Sequence, residues 1–253
     1  MNALERHYGK LLVKQYETRD QLGKAAAEEV GAKICALQKE QETVRIVFAS
    51  APSQSEFLKN LCEYEGIDWG RVAAFHQDEW LGVPTDRSYS FGGFIKRYLI
   101  DIVRPGQYHL IDSMNDPECE CARYGGLLTE KPIDIICLGV GENGHTAFNE
   151  PHEADFNDPK IMKVIRLDER CRQQEFHDFG FETLEGVPTH GLTVTIPTIM
   201  RARYIYCMVP GERKAEAIHN VLLGEICEKC PSSILRTAEN AILFVDKDSA
   251  SML

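Results

Sequence analysis

The chain has no basic surplus to offer a polyanion. Lysine and arginine number 28 against 39 aspartates and glutamates, a formal charge of -11 over 253 residues. A nucleic-acid backbone would meet net repulsion, and any anionic ligand must be held by a few local cations. Long hydrophobic runs are missing too: no stretch approaches the ~18 consecutive apolar residues of a membrane span. The opening MNALERHYGK lacks the basic-then-apolar order of a signal peptide. There is no internal repeat and no low-complexity tract. Nor is there a convincing cysteine framework. The nine cysteines, Cys35, Cys62, Cys119, Cys121, Cys137, Cys171, Cys207, Cys227 and Cys230, are scattered and odd in number, which suits reduced thiols. Cys227 and Cys230 have the spacing of half a zinc site or a redox pair, yet only the distant Cys119 and Cys121 could complete it, so no metal is expected. These absences point away from nucleic acid, membrane and disulfide-stapled classes, and leave a cytoplasmic protein with a small-molecule partner.

What is present suits an α/β protein. The length allows one large domain as readily as two small ones, and a single domain is expected. Strand-like runs recur at 44–49, 72–76, 108–111, 133–140, 164–167, 193–196, 204–209 and 241–245. Helical patterns alternate with them. Over 90–103, Phe91, Phe94, Ile95, Tyr98, Leu99 and Ile102 follow the spacing of one buried face, with Ser90 or Ser88 as cap. Thr18 to Gln21 resembles a capping box opening a helix to about Lys39. A third helix covers 211–223 with Ala215, Ile218, Val221 and Leu222 on one face. The alternation predicts a Rossmann-like, mostly parallel sheet flanked by helices. The least regular stretch, 152–188, holds one short strand candidate and reads as a possible lid, or as a solvated excursion.

Two constellations carry chemistry. In the first, the apolar run from Ile133 ends in a turn containing Gly139, Gly141, Gly144, His145 and Glu150. A strand covered on both faces, followed by glycines, places a histidine where open parallel sheets bind ligands. The same residues would also suit a tight turn whose histidine merely caps a backbone group. In the second, Asp78 and Glu79 follow the strand beginning near Val72. Adjacent carboxylates there are costly unless solvated, paired or used, and either could simply cap the next segment. Trp80 is expected to pack beneath this loop, and His190 and His219 read as structural.

The order of HQDEWLGVP, SYSFGGF, LGVGENGHTAFNEP, VPTHGLTVTIPTI and GERKAEAIHNVL closely resembles the glucosamine-6-phosphate deaminase (isomerase) family, related to the 6-phosphogluconolactonases, from about Tyr16 to the C-terminus. The resemblance implies Asp78 as the base moving a proton between C2 and C1 of an open-chain amino sugar. His145 would assist ring opening, Glu150 would orient and charge it, and Asn143, which can be Asp in the family, would position it. Lys214 matches the family's phosphate-binding lysine, and Arg172 its lid arginine, with Arg170 a rival. The family's Thr-Gly-Gly-Thr type phosphate turn reads here as Ser50-Ala51-Pro52-Ser53-Gln54. Pro52 removes an amide donor, so Ser50, Ser53 and Gln54 are left to do more of the binding.

The implied activity is conversion of glucosamine 6-phosphate, or a close analogue, and water to a ketose phosphate and ammonia, without cofactor, in a possible homo-oligomer. A lactonase is the alternative within the same resemblance. Against it, Phe148-Asn149-Glu150-Pro151 stands where lactonases carry a Ser-Leu-Phe-Pro type sequence. A sugar-phosphate sensor without turnover is the alternative of another class, suggested by the altered phosphate turn.

Overall fold

In the computed structural model, which describes residues 3–253, the apolar runs become the strands of one central sheet. A hairpin, β1 (Leu4–Tyr8) and β2 (Leu11–Tyr16), leads into helix α1 (Arg19–Glu40) and then β3 (Val44–Phe48). Helix α2 (Ser55–Cys62) returns the chain to β4 (Val72–His76), followed by the short β5 (Asp78–Trp80). Next comes a composite helix: α3 (Phe91–Ile95), a π turn over Lys96–Ile100, and α4 (Asp101–Val103). Edge strand β6 (Gln107–Tyr108), α5 (Pro117–Thr129) and β7 (Ile135–Leu138) complete the first half. The second half runs through β8 (Met162–Arg166), α6 (Glu169–Phe179), β9 (His190–Val194), α7 (Ile196–Met200), β10 (Tyr204–Val209), α8 (Ala215–Leu223) and β11 (Ala241–Asp246).

The main sheet has eight strands in the order β1-β2-β11-β10-β7-β3-β4-β6, parallel throughout except for β1. Period-two alternation splits each strand between two cores. Ile46 and Phe48 join α1, α2 and α3 on one face, while Val47, Ile136 and Leu138 join α5 and α8 on the other. After β3 the chain builds outward through β4 and β6, then returns to β3's other side to place β7. The strand order therefore reverses between β3 and β7, which opens a crevice at their carboxyl ends.

Three departures from the sequence expectation have physical causes. The strands expected at 164–167 and 193–196 form at Met162–Arg166 and His190–Val194, and with β5 they make a separate antiparallel sheet, β5-β9-β8. The stretch 152–188, read as irregular, contains β8 and α6. Its polar helix is capped by Asp168, which accepts from the Cys171 amide, and it packs few apolar groups, so its periodicity is faint. The helix over 90–103 is capped by Ser90, one of the two caps expected. However, the wider π turn rotates its second half, burying Ile100 and leaving Tyr98 42% and Ile102 60% exposed. Thr18 caps α1 through the Gln21 amide, and no helix is long and apolar enough to cross a membrane among the described residues.

Candidate active site

The crevice at the strand reversal is a cavity of about 500 Å³, including its mouth. Its floor is the two strand-end turns, Ala49 to Ala51 after β3 and Gly139 to Gly141 after β7. Asp78, His145, Ser50, Ser53 and Lys214 line it.

Asp78 reaches the cavity because the end of β4 is held rigidly. The Tyr124 hydroxyl accepts from the His76 amide and donates to the His76 carbonyl, both at 2.9 Å. The Gln77 side chain donates to the Cys137 carbonyl on β7, and the Gln77 carbonyl accepts from the Val194 amide at 2.9 Å. In β5 successive side chains alternate, so Asp78 and Glu79 face opposite ways. Glu79 accepts from the Trp80, Phe91 and Gly92 amides and from the Ser90 hydroxyl at 2.7 to 3.1 Å. It caps α3, and burial still pushes its carboxyl up to about 7. Asp78 is buried at the cavity wall, and burial, with the Glu79 charge behind it, holds its carboxyl well above the usual range. Trp80 is buried against Phe91 and Phe148, with ring centroids 4.9 and 5.0 Å away.

The turn after β7 folds tightly around His145. The Gly141 amide donates to the His145 carbonyl at 2.9 Å, and the Ser232 hydroxyl donates to the same oxygen at 3.0 Å. A Cβ on Gly141 would lie 2.1 Å from the His145 ring, so only glycine allows the imidazole to lie where it does. Gly144 takes φ +87°. Ala147 is left-handed at φ 47°, a strained conformation for a side-chain-bearing residue beside the cavity. Asn143 accepts from the His145 amide at 3.0 Å, and its NH₂ donates to Glu150 at 2.7 Å and to Asp168 at 2.8 Å. It thus fixes the backbone of His145 and ties two carboxyls together, instead of bonding the ring. Glu150 Oε1 lies 3.6 Å from His145 Nδ1, too far for a good hydrogen bond. Burial, then the Lys214 charge, lowers the imidazole to about 3, while burial raises Glu150 to about 8. Both shifts favour neutral forms, so the ligand-free pair is a neutral imidazole beside a carboxyl group rather than an ion pair.

Lys214 is buried and its ammonium donates to the Gln174 side-chain oxygen at 3.0 Å. Ser50 is buried with its hydroxyl unpartnered among the described residues. Gln54 stands behind the wall, its amide donating to the Met208 carbonyl at 3.2 Å and to Ser53 at 3.1 Å. It braces the turn instead of lining the cavity. The expected lid arginine is also displaced. Arg172 is turned to the carbonyls of Leu184 and Val187 at 2.7 and 3.1 Å, and its rival Arg170 pairs with Glu216. Residues of α6 three and four apart share a face, and the face toward the cavity is Gln174, Glu175 and Asp178. Arg172 is three residues from Glu175 but two from Gln174 and six from Asp178, so it projects from the edge of that face. Sequence reasoning missed this face, and it missed Asp168, whose only signal was its place as a cap before a helical segment.

His145, Glu150 and Cys171 bring ligand atoms within 4.8 Å of one another, as do Glu150, His152 and Asp168. Neither group includes Cys227 or Cys230. Burial and neighbouring carboxylates push the Cys171 thiol well above its usual range, which makes it a poor thiolate donor. The arrangement does suit acid–base chemistry: a buried carboxyl, Asp78, the His145 imidazole and the Lys214 ammonium line one cavity.

The family model for glucosamine-6-phosphate isomerases/6-phosphogluconolactonase matches residues 17–244. A glucosamine-6-phosphate deaminase of Bacillus cereus (strain G9842) is 34% identical over 245 residues, covering 96% of this chain and 88% of the relative. A monomeric glucosamine-6-phosphate deaminase of known structure superposes with a TM-score of 0.87 at 27% identity, covering 95% of this chain and 99% of that one. The 6-phosphogluconolactonase of Thermotoga maritima shares the fold at a TM-score of 0.76 and 19% identity, covering 93% and 99%.

Proposed function

The chain belongs to the family of glucosamine-6-phosphate isomerases and 6-phosphogluconolactonases, and from that premise we propose that it is an amino-sugar phosphate isomerase-deaminase. It converts glucosamine 6-phosphate, or a close analogue, and water to fructose 6-phosphate and ammonia. The observation that carries this reading is the convergence of Asp78, His145 and Lys214 on one cavity at the strand reversal.

His145, neutral in the buried turn, moves a proton between the anomeric hydroxyl and the ring oxygen to open the pyranose. Asn143 fixes its backbone, and Glu150 faces its Nδ1. Asp78 then takes the C2 proton, giving an enolamine, and returns it to C1, leaving an imine at C2. Water adds to C2 and ammonia departs. Asp78 enters the reaction as the carboxylate; burial that favours its proton makes that carboxylate a stronger base for the first transfer, and the acid it becomes a competent donor for the second. Each step is proton transfer or addition of water, work suited to side-chain acids and bases, each typically contributing about 10²- to 10⁴-fold. Lys214, with Ser50 and Ser53, receives the phosphate. The nine free cysteines, most of them at least half-buried, support a reducing compartment such as the cytoplasm.

Incubation with glucosamine 6-phosphate or galactosamine 6-phosphate is expected to release ammonia and the matching ketose phosphate in equal amounts, measured by coupled assay. Turnover of 6-phosphogluconolactone with no ammonia from either sugar would replace this reading with a lactonase. Tight binding without turnover of any of the three would replace it with a sensor.

A further inference from the structure

Among the carboxyl groups lining the cavity, Asp78 has the proton transfer and Asp178 is engaged by Arg213 at 2.8 Å. Glu175 has no such partner. Its residue is 4% exposed, its Oε1 receives only a long contact from Gln174 at 3.3 Å, and its Oε2 has no hydrogen-bond partner among the described residues. It lies at the Lys214 end, because Gln174 touches both the Lys214 ammonium and the Glu175 carboxyl. The groups facing it are Cys171 and Asp178 from its own helix, Asp78 from β5, Glu150 from the turn after β7, and Lys214 from the turn before α8. Burial and these acidic neighbours hold its carboxyl well above the usual range, with Lys214 opposing them. A carboxylate at this position would repel a phosphate dianion. A carboxylic acid would supply a hydrogen-bond donor where the expected Arg172 supplies nothing.

We propose that Glu175 is a specificity-determining ligand of the substrate's phosphate, its buried and otherwise unpartnered carboxyl donating a hydrogen bond to a phosphate oxygen beside the Lys214 ammonium. This rests on the amino-sugar phosphate reading above. The phosphate end then uses one cation and one neutral acid, together with the hydroxyls of Ser50 and Ser53. It loses affinity as pH rises, because ionised Glu175 turns from donor to repelling charge.

The test is direct binding of fructose 6-phosphate, which has no amine to titrate, compared with fructose, from pH 7 to 9.5. The phosphate is already a dianion through most of this range, its second ionisation lying near about 6. Glu175→Ala is expected to raise Kd roughly 10- to 100-fold, the loss of a hydrogen bond to a charged group. Glu175→Gln, whose amide keeps a donor, should restore most of that loss at pH 7. In the wild type the loss of Glu175's proton adds to the loss from Lys214 and from the ionising carboxyls of Asp78 and Glu150, so affinity should fall more steeply with pH than in Glu175→Gln, which keeps those other groups but has no proton to lose at 175. Equal Kd and equal pH dependence in all three proteins would overturn the proposal, as would a pH dependence in Glu175→Gln as steep as the wild type's should Glu175→Ala fail to fold. Fructose binding as tightly as fructose 6-phosphate would also overturn it, while ammonia release could still uphold the deaminase. Failure of the deaminase alone would appear as phosphate-dependent binding without ammonia.

Discussion

Asp78 and Glu79 are neighbours with opposite employment. Alternation in a three-residue strand sends one to the cavity and the other to three donors at the start of α3 and the neighbouring Trp80 amide. The sequence reading left open which of the two caps the next segment, because strand phase at an element's end is invisible without the partner strand. Pairing of Asp78 with Thr193 on β9 settles the geometry. Asp78→Asn keeps shape and loses basicity, so kcat for ammonia release should fall at least 100-fold with KM within a few-fold of wild type. Retention of more than about a hundredth of kcat would move the base to another group.

Between residues and whole molecule, phase explains both what was legible and what was not. The inner parallel strands announced themselves because they are buried on both faces and read as apolar runs, interrupted only by Arg45 in Val44–Phe48 and unbroken in Ile135–Leu138. The hairpin β1–β2 did not, because its edge strand is exposed and charged. Helix α6 was missed because few apolar residues mark its face, and without that phase Arg172 could not be told from Glu175. The histidine turn was readable for a steric reason: glycines are required where the backbone passes under the imidazole. Gly141→Ala would place a methyl 2.1 Å from the ring, so the imidazole must move. Steady-state assays should show a kcat loss of about 100-fold or more, since a displacement of about 1 Å can cost that much. The control is Gly126→Ala on α5, where an added Cβ meets nothing within 4 Å. That change should leave kcat alone and stabilise the fold by about 1 kcal/mol through helix propensity, seen as a raised Tm.

The whole molecule carries its function as a strain in its charge balance. Asp78, Glu79, Glu150 and Glu175 are all held above their ordinary carboxyl range, first by burial. Each binds a proton more tightly folded than unfolded, so each contributes stability at low pH that is lost as pH rises toward its folded value. The buried imidazoles of His76 and His145, lowered to about 3, act oppositely, but only below the ordinary histidine value of about 6.5, since above it the unfolded imidazoles are already neutral. Lys214, lowered by burial, also favours stability at higher pH, one group against four. Between pH 6.5 and 8 the carboxyls therefore decide the sign, with Glu79 and Glu150 ionising near about 7 and 8. The Tm of the ligand-free protein should fall across this interval, and Glu150→Gln should flatten part of the fall, because its amide has no proton to lose. A Tm that rises from pH 6.5 to 8, in calorimetric scans at fixed ionic strength, would mean these carboxyls are ionised in the empty cavity. The same result would remove the physical basis for both the strengthened base at Asp78 and the neutral acid at Glu175.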